Sequence, residues 1–414
     1  MIPLELDILE PLGKLVARPW ASEVTGLQID SRRIEEGDLF VAVGDGADFV
    51  AHALARGAAA ALVPGEPHRA LATIGGTVRD RSAAHVVGIT GAIGKTTTKD
   101  ILAALCRPHL RTVASEGNYN NELGVPLTLG RIEPDTELCI VEMGMRGLGQ
   151  IAWLASFARP DIGLITNIAP VHLELVGTVE NVARAKAELI EALPPGGVAV
   201  VPDEPLLEPY LLRDDITVRR FGAVEEPGLF TIGERTVRLE TGYRAPHQLE
   251  NTLAALTVCD VLGLPVGDGV LEVEFSPHRE AVIELDDGIT LIDDSYNASP
   301  VSMVAALRHL SAVAGDRRRV AVLGEMAELG PGAASHHLEV GEALAAMGIE
   351  ALVAVGPLAV GYVGAAPEVD AVHTGSAAEA TAIVRSLLRP GDVILVKGSR
   401  AVGLDALVAN LSGH

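Results

Sequence analysis

The 414-residue sequence has only three cysteines, and they are far apart. Cys106, Cys139 and Cys259 stand in apolar surroundings without the spacing of a metal-binding motif, so we expect buried, reduced thiols. No window approaches the roughly 20 uninterrupted apolar residues that a membrane-spanning helix needs. The opening "MIPLELDILE" lacks the basic and then apolar regions of a secretory signal. We therefore expect a cytoplasmic protein.

Basic residues are also scarce: 32 Lys and Arg stand against 55 Asp and Glu, a formal net charge of −23. Nucleic-acid binding depends on clustered cations, so this balance argues against such a partner. It leaves phosphorylated small molecules possible, because a few local cations can dominate a cleft. With 48% hydrophobic and 21% charged residues the chain is globular, and its length predicts two or three domains.

The most informative stretch is "GITGAIGKTTTKD", residues 88–100, which lies between an apolar run and a helical pattern. Its backbone N–H groups and helix dipole are suited to binding phosphate. Gly91 and Gly94 leave room for that approach, Lys95 supplies a positive charge, and the Thr96 hydroxyl is placed to ligate Mg²⁺. The spacing differs from the usual G-x-x-x-x-G-K-[ST], and a glycine-rich turn with a solvated lysine is the alternative. We interpret the segment as a nucleotide-binding loop.

The first 81 residues have the pattern of a small α/β unit. "DLFVAV" predicts a strand, and "DFVAHALARGAAAALV" predicts a helix that ends at Gly57 and is followed by a second strand. We interpret "EPHRALATIGGTVRD" as a loop-rich exit from this unit. A domain boundary is expected near Ser82.

Strands and helices alternate from His85 onward. The apolar runs "VVGIT", "ELCIVEMG", "DIGLITNI" and "GGVAVVP" predict a mainly parallel, doubly wound sheet, and "HQLENTLAALTVCDVLGL" predicts a helix ending near Gly263. A second alternating set begins near Phe275 and includes "RRVAVLGEM", "IEALVAVG" and "GDVILVKGS". The predicted domains are 1–81, 82–274 and 275–414.

Three further polar residues follow predicted strands or lie on a helix nearby. Glu142 closes "ELCIVE", where its carboxylate would lie near the nucleotide-binding loop as a metal ligand, although such a residue is more often a surface or capping group. His172 follows "GLITNI", a place where a histidine is usually structural. Lys186 lies in the helical "ARAKAEL", where a solvated lysine is the simpler interpretation.

These segments together resemble the Mur ligases, the ATP-dependent amide-forming enzymes of peptidoglycan precursor synthesis. The resemblance extends over essentially the whole chain. It is carried by the segments "DSRRIEEGDLFVA", "GKTTTK", "GNYNNELGVPLT", "VEMGM", "TNIAPVHLE", "ARAKAE", "HQLEN", "DDSYNASPVSM", "VLGEMAELG" and "VKGSR".

The resemblance implies an α/β fold of three domains: a small N-terminal α/β domain that holds a UDP-sugar, a central P-loop ATPase domain with a mainly parallel sheet, and a C-terminal Rossmann-like domain. It implies ATP and Mg²⁺ as cofactors and a monomeric protein. Within the family, "DSYNASP" and "LGEMAELG" favour the member that adds D-alanyl-D-alanine to UDP-N-acetylmuramoyl-tripeptide. The implied reaction phosphorylates the substrate carboxylate and then lets the amine attack the acyl phosphate.

Residue by residue, the resemblance assigns catalytic roles to Lys95, His172 and Lys186. Thr96 matches the first metal position, Glu142 and His172 match the second, and Lys186 matches the lysine that the family carbamylates to organise metal. The remaining matched positions contact the nucleotide or the substrates. They are Gly91, Gly94, Thr97 and Asn251 for the phosphates and adenine; Arg279, Asp294 and Tyr296 for the nucleotide side of the third domain; Ser31 and Arg32 for uridine; Asn120 and Asn121 for the substrate; and Lys397 and Arg400 in a basic C-terminal motif.

Two alternatives stay open at the level of sequence. The segment "VGDGADFVAH" is shorter than the family's sugar-nucleotide loop and has Ala47 where a histidine is usual, which would suit a ligase with a different carboxylate and amine. Ala92 and Ile93 replace a small hydroxyl residue and an asparagine of the nucleotide-binding loop, which would suit a non-catalytic nucleotide-binding relative. Phosphate release that depends on both substrates separates these possibilities.

Overall fold

The computed structural model describes residues 1–279 and 281–413. The Cα positions group into two compact units. The first unit comprises Met1–Asn167, Arg184–Glu240 and Asn251–Val273, and the second comprises Ile168–Ala183, Thr241–Glu250 and Glu274–His414. The three-domain division of the sequence stays a prediction.

A small mixed sheet forms the beginning of the first unit. Its strand order is β2-β6-β5-β4, with β2 antiparallel to β6 and the other neighbours parallel. The elements here are β1 (Leu4–Glu5), α1 (Leu6–Leu9), β2 (Gly13–Ala17), β3 (Glu23–Val24), β4 (Gly26–Gln28), β5 (Asp38–Val41), α2 (Val50–Arg56), β6 (Ala60–Pro64) and α3 (Pro67–Arg81). Strand β1 pairs with β3 apart from this sheet. The predicted strand, helix and second strand are confirmed, and Gly57 ends α2 with φ +124°.

The prediction of a loop-rich segment over 66–80 is wrong, because Pro67–Arg81 form helix α3. Pro67 occupies the first turn, where its missing N–H costs nothing. Gly75 and Gly76 suggested a loop, but they lie inside the helix, where they permit close packing. A Cβ at Gly75 would lie 3.0 Å from the Cα of Pro126, and one at Gly76 would lie 3.4 Å from the Cβ of Phe157. The glycines therefore serve helix packing rather than a turn.

The central sheet of the first unit has six strands, all parallel, in the order β12-β11-β10-β7-β9-β8. Its strands are β7 (His85–Thr90), β8 (Thr112–Ala114), β9 (Leu138–Glu142), β10 (Ile162–Ile165), β11 (Val198–Pro202) and β12 (Thr217–Phe221). All five residues of β9 are buried, as expected for a strand covered on both faces. The predicted mainly parallel, doubly wound sheet is confirmed.

Helices alternate with these strands along the chain. They are α4 (Lys95–Cys106), α5 (Gly124–Leu129), α6 (Gln150–Ala158), α7 (Leu173–Val176), α8 (Val179–Glu191) and α9 (Pro246–Val261). Helix α9 ends two residues before Gly263, close to the predicted end. A separate three-stranded sheet has the order β13-β14-β15, with β13 (Leu229–Ile232), β14 (Arg235–Thr241) and β15 (Gly269–Leu271).

The second unit contains a six-stranded sheet of order β16-β17-β21-β18-β19-β20, in which only β16 is antiparallel to its neighbour. The strands are β16 (Ala281–Glu284), β17 (Thr290–Asp294), β18 (Arg319–Gly324), β19 (Ala351–Val355), β20 (Asp370–Thr374) and β21 (Val393–Lys397). The helices are α10 (Pro300–Ala314), α11 (Ala333–Ala346), α12 (Val360–Ala365), α13 (Ala377–Leu387) and α14 (Asp405–Ser412). Two apolar clusters fill this unit, one including Leu323 and Leu344 and the other including Val353 and Ile394.

All three cysteines are buried free thiols, as predicted. Burial raises the pKa of Cys139 to about 12, so this thiol stays protonated. Among the described residues, no helix combines the length and apolar character that crossing a membrane requires.

Candidate functional site

The nucleotide-binding loop lies between the carboxyl end of β7 and the start of α4. Gly91 has φ +149° and Gly94 has φ +78°, backbone conformations that side chains rarely adopt. A Cβ at Gly91 would lie 1.9 Å from Thr166 Oγ1, so the neighbouring strand end also requires a glycine. Lys95 begins α4 and donates from Nζ to the carbonyls of Gly91 (2.9 Å) and Ala92 (3.2 Å). The amine thus lies over the loop, where phosphates would approach.

The two loop positions that depart from the family, Ala92 and Ile93, are held through their backbone. Asn167 accepts from Ala92 N through its carbonyl (3.1 Å) and from Ile93 N through Oδ1 (3.0 Å). Asn167 Nδ2 (3.1 Å) and Thr166 Oγ1 (2.6 Å) in turn donate to the carbonyl of Ile93. The side chains of Ala92 and Ile93 take no part in these bonds, so the bonds do not depend on which side chains stand at these two positions. Thr166 and Asn167 were not singled out by the sequence.

Thr96 and Glu142 meet at the head of this loop. The Thr96 hydroxyl donates to Glu142 Oε2 at 2.9 Å, and Asn120 Nδ2 donates to Glu142 Oε1 at 2.7 Å. Glu142 is 0% exposed, so it is not a surface residue, and its carboxylate accepts from two side chains rather than from the backbone N–H groups that a capping residue would bind. The topology explains the meeting, since β7 and β9 are parallel neighbours and Ile89 is paired with Glu142. The structure brings three predicted site residues into one hydrogen-bonded group.

Lys99, which the sequence argument passed over, supports the loop that carries Asn120. It is buried on α4, and its Nζ forms an ion pair with Asp100 (2.9 Å) and donates to the carbonyl of Ser115 (2.8 Å). The Ser115 hydroxyl accepts from Glu142 N at 3.0 Å. In the sequence, this contact is signalled only by the spacing of Lys99, which follows Lys95 by one helical turn.

Asn121 stabilises the loop in which it lies. Its Oδ1 accepts from the backbone N–H groups of Leu123 (3.2 Å) and Gly124 (3.0 Å) at the start of α5. Thr97, predicted to bind the phosphates, lies half-buried in the first turn of α4.

Lys186 lies on α8 and is 1% exposed, which excludes the interpretation as a solvated helix residue. Burial lowers the pKa of its amine well below the ordinary value, and the nearby Lys95 cation lowers it further. The carboxylates of Glu142 and Glu188 act in the opposite direction. Desolvation is the largest of these effects, so folding shifts Lys186 toward its neutral form relative to a solvated lysine.

Asn251, on α9, lies against the start of α4. A Cβ at Gly94 would approach its Oδ1 to 2.6 Å, so the left-handed glycine also makes space for this amide. Asn251 is 5% exposed, and within the described residues its Nδ2 has no hydrogen-bond partner. Buried amide donors are nearly always satisfied, so this one points to a ligand acceptor beside the loop.

The residues assigned to uridine lie in the N-terminal part of the first unit. The hydroxyl of Ser31, which is buried, lies 2.9 Å from His52 Nδ1. Arg32 is exposed and forms an ion pair with Asp30 at 2.8 Å, and its guanidinium lowers the pKa of that carboxyl to about 2. His52 was not predicted, and it is the nearest additional candidate for this end of the site.

In the second unit, Asp294 and Lys397 end neighbouring parallel strands and are paired in register. Lys397 Nζ donates to Asp294 Oδ2 at 2.5 Å and to the carbonyl of Asn297 at 2.9 Å, and both charged residues are buried. The contact places a predicted ribose-side carboxylate in a buried ion pair.

Tyr296 lies two residues beyond Asp294, and the guanidinium groups of two arginines lie near its ring. The Arg279 guanidinium carbon is 4.2 Å from the centre of the Tyr296 ring, and that of Arg400 is 6.0 Å away. Arg400 is also paired with Asp405 at 2.8 Å. Cations stacked on an aromatic face suit a nucleotide, whose phosphates are anionic and whose base can stack.

His172 lies in the second unit, and its ring Nδ1 is 2.6 Å from Glu328 Oε2. Glu328 is 156 positions later in the chain and was not among the predicted residues.

Thr96 and Glu142 present the donor chemistry that Mg²⁺ prefers, a hydroxyl and a carboxylate oxygen within hydrogen-bond distance of each other. Within residues 1–279 and 281–413, no group of three or more His, Cys, Asp or Glu residues could hold a metal ion by itself. Mg²⁺ typically uses one or two protein ligands together with substrate phosphates, so the residues present fit a nucleotide-bound Mg²⁺.

Comparison with known proteins agrees with this arrangement. The family profile of the Mur ligase middle domain matches residues 89–259, and that of the Mur ligase, glutamate ligase domain matches residues 278–400. The UDP-N-acetylmuramoyl-tripeptide--D-alanyl-D-alanine ligase of Synechocystis sp. is 34% identical over 432 residues, which cover 94% of this chain and 92% of the relative.

Two solved structures share the fold over most of both chains. MurF from Acinetobacter baumannii has a TM-score of 0.85 at 27% identity, covering 100% of this chain and 99% of its own. MurF from Thermotoga maritima in complex with ADP has a TM-score of 0.79 at 27% identity, covering 94% of this chain and 97% of its own.

Proposed function

The chain belongs to the Mur ligase family, and from this premise we propose that it adds D-alanyl-D-alanine to UDP-N-acetylmuramoyl-tripeptide. It is an ATP-dependent ligase of peptidoglycan precursor synthesis that forms an amide bond. The observation that carries the proposal is the contact between Thr96 and Glu142 at the head of the nucleotide-binding loop, beneath the Lys95 amine.

The phosphoryl-transfer step needs positioning and charge neutralisation rather than a covalent nucleophile. Lys95 and the backbone N–H groups at the start of α4 hold the nucleotide phosphates. Asn251 donates its amide to the nucleotide beside Gly94. Bound through Thr96 and Glu142, Mg²⁺ would supply positive charge to the phosphate oxygens. Asn120 and Lys99 hold Glu142 and its loop in place.

In the second step the amine of D-alanyl-D-alanine attacks the activated carbonyl and phosphate leaves. The nucleophile has to lose a proton as the amide forms, and water has to be kept from the acyl phosphate. We assign Arg279, Tyr296 and Arg400 to the nucleotide side, Asp294 and Lys397 to the strand ends beside them, and Ser31 and Arg32 to the uridine end.

Lys186 is carbamylated in this proposal. A carbamate forms from a neutral amine and CO₂, with loss of one proton, and burial of Lys186 favours that neutral form. The product is a carboxylate-like anion, and its position is close enough to Lys95 and Glu142 for electrostatic interaction with both. Such a group can orient a cation that a free ammonium would repel.

The test is phosphate release by the purified protein with ATP and Mg²⁺. We expect turnover only when UDP-N-acetylmuramoyl-tripeptide and D-alanyl-D-alanine are both present, with a product mass equal to their sum minus one water. Turnover with a different carboxylate or amine would assign the chain to another branch of the family. ADP binding without turnover on any pair would indicate a non-catalytic relative.

We also propose that the protein acts as a monomer in the cytoplasm, where ATP and nucleotide-activated sugars are available. Sedimentation at micromolar concentration should give a mass near 43.1 kDa. A stable dimer in that experiment would contradict the monomer.

A further inference from the structure

Glu188 makes two contacts that the reaction described above does not use. It lies on α8, two residues after Lys186, and is 8% exposed. Its Oε1 accepts from the backbone N–H of Gly149 at 2.5 Å, and its Oε2 accepts from that of Ala152 at 3.0 Å. Both N–H groups lie at the start of α6. A carboxylate of α8 therefore caps the N-terminus of α6, where the helix dipole favours a negative charge.

Another face of α8 packs on the central sheet. A Cβ at Gly88 would lie 2.9 Å from Leu189 Cδ1, and a Cβ at Gly163 would lie 3.1 Å from Cγ of the same leucine. Gly88 and Gly163 are paired in register on β7 and β10, so Leu189 fills the space that these two glycines leave on the sheet. Residues three apart share a helix face, whereas residues two apart point to nearly opposite sides. Lys186 therefore lies on the same side of α8 as Leu189, and Glu188 points away from Lys186.

The direction of α8 sets the end of the sheet toward which Lys186 extends. Strands β10 and β11 are parallel neighbours, so α8, which lies between them in the chain, runs back from the carboxyl edge of the sheet. Lys186 comes one turn before Leu189 and thus lies about 4.5 Å closer to that edge, and helical side chains also lean toward the N-terminus. The nucleotide-binding loop begins at this edge, directly after β7. The electrostatic effects of Lys95 and Glu142 on the pKa of Lys186 agree with this direction.

We propose that Glu188 is a positioning residue: by capping α6 it fixes the rotation of α8, and so it holds the Lys186 amine beside the nucleotide-binding loop, where the amine takes up CO₂. The inference rests on the proposed function, in which Lys186 is carbamylated, and it extends that function to a residue that the resemblance does not assign. In that step the Lys186 nitrogen adds its lone pair to the carbon of CO₂, one C=O electron pair moves to oxygen, and a proton leaves the nitrogen for solvent. All of these residues lie in the first unit.

The contact also joins α8 to the segment that follows Glu142. Glu142 ends β9, and Gly149, which donates to Glu188, comes seven residues later at the start of α6. The position of Lys186 is thus linked through one carboxylate to the strand that carries the proposed metal ligand.

A purely electrostatic role of Glu188 predicts the opposite effect on the carbamate. The Glu188 carboxylate raises the pKa of Lys186, so its charge alone favours the ammonium form and repels the carbamate anion. Removing that charge would then improve CO₂ uptake. If Glu188 acts through the position of α8, loss of its hydrogen bonds weakens uptake even though an unfavourable charge is removed. The sign of the change separates the two roles.

The test uses the full-length protein and four variants: Glu188→Gln, Glu188→Asp, Lys186→Ala and the matched control Glu191→Gln. Glu191 is exposed and lies three residues later on α8, so its variant removes the same charge but neither bond to α6. Glutamine keeps one acceptor oxygen for the two N–H groups, and aspartate keeps the charge but is one methylene shorter. Circular dichroism establishes that each variant is folded. Where Glu188→Gln does not fold, Glu188→Asp carries the test.

The first readout is the carbamate, observed as a ¹³C signal in buffer with ¹³CO₂ and assigned by its loss in Lys186→Ala. The contact can bias the position of α8 by no more than its own free energy. We therefore expect the CO₂ concentration for half-maximal signal to rise about fivefold in Glu188→Asp, the effect of one ordinary hydrogen bond, and to rise in Glu188→Gln as well. Glu191→Gln should match the wild type. Uptake that is unchanged or improved in either folded Glu188 variant overturns the inference.

The second readout reports the position of Lys186 without carbamate. The chain contains five lysines, so [ε-¹³C]lysine labelling in CO₂-free buffer gives few signals, and Lys186→Ala assigns that of Lys186. We expect its chemical shift to move toward that of the exposed Lys14 in both Glu188 variants and to stay in place in Glu191→Gln. A wild type without a ¹³CO₂-derived signal would refute the carbamate of the proposed function, and this shift then decides the positioning role by itself. An unmoved Lys186 signal in the folded Glu188 variants overturns that role.

Discussion

Replacing Lys186 by methionine should separate the chemistry of its amine from the packing of its stem. Lys186 is 1% exposed, and methionine keeps most of its side-chain volume on α8 while removing the nitrogen. If the amine is the site of the carbamate, Lys186→Met should be nearly inactive. It should nevertheless be folded and bind ADP.

The stability changes can be worked from burial. Taking the Lys186 amine out of water costs free energy in the folded protein, so Lys186→Met should be more stable than the unmodified wild type, by at most about 1–3 kcal/mol. Lys186→Ala also removes the buried stem and leaves a cavity, a change that typically costs about 2–5 kcal/mol. In urea unfolding, Lys186→Met should therefore have a higher free energy of unfolding than the wild type, and Lys186→Ala a lower one.

The pH dependence has a definite sign. Burial lowers the pKa of Lys186 in the folded state, whereas in the unfolded chain this lysine has an ordinary pKa of about 10.4. Unfolding thus takes up a proton, and the wild type gains stability as pH rises between these two values, by at most about 1.4 kcal/mol per pH unit. In CO₂-free buffer, the advantage of Lys186→Met over the wild type should shrink from pH 7 to pH 9.

The decisive assay is phosphate release by the two variants with and without added formate or acetate. A small carboxylic acid should restore part of the rate of Lys186→Ala by occupying the vacated space, and it should not help Lys186→Met, whose stem fills that space. Normal activity of either variant without acid would refute the carbamate. A stability advantage of Lys186→Met over the wild type that does not change with pH would refute the lowered pKa of Lys186 on which the proposal depends.

Four other substitutions test separate parts of the structure. Lys95→Ala should lose turnover by several orders of magnitude, because it removes the cation over the loop; a near-normal kcat would exclude that role. Glu142→Gln should raise the Mg²⁺ concentration needed for half-maximal rate, and an unchanged Mg²⁺ titration would leave the residue structural. Gly75→Val should lower the free energy of unfolding by about 1–3 kcal/mol through overpacking, and a neutral urea midpoint would contradict the tight packing of α3 on α5. Asp294→Asn should cost about 3–5 kcal/mol by leaving Lys397 as a buried charge, whereas Asp294→Leu with Lys397→Met should recover most of the loss; equal stability of the two would contradict the buried pair.

The elements that could be predicted from the sequence are those whose signal is local. The apolar run that ends in Glu142 identified a strand, and parallel topology then placed its carboxylate at the ligand-binding edge of the sheet. Helix α3 was missed for a physical reason. Gly75 and Gly76 lower helix propensity locally, but the contacts they permit with Pro126 and Phe157 are made only after folding.

Contacts between distant segments could not be derived in the same way. Glu328 reaches His172 from 156 positions away, and Lys397 reaches Asp294 from 103 positions away. Neither pairing leaves a periodic signal, because each depends on two loops or strand ends that only the folded sheet brings together. The support of Ala92 and Ile93 by Asn167 is of the same kind.

The few lysines of the chain mark the candidate site in a way that requires neither the topology nor the family to be known. The chain contains only five lysines, so nearly all of its basic residues are arginines. Lys14 is exposed, whereas Lys99, Lys186 and Lys397 are buried and Lys95 begins the helix of the nucleotide-binding loop. Where any cation suffices, this sequence uses arginine, which is always charged. Apart from the exposed Lys14, lysine stands where a compact charge or an amine that can lose its proton is useful, and burial lowers the pKa of Lys186, a change that an arginine could not undergo.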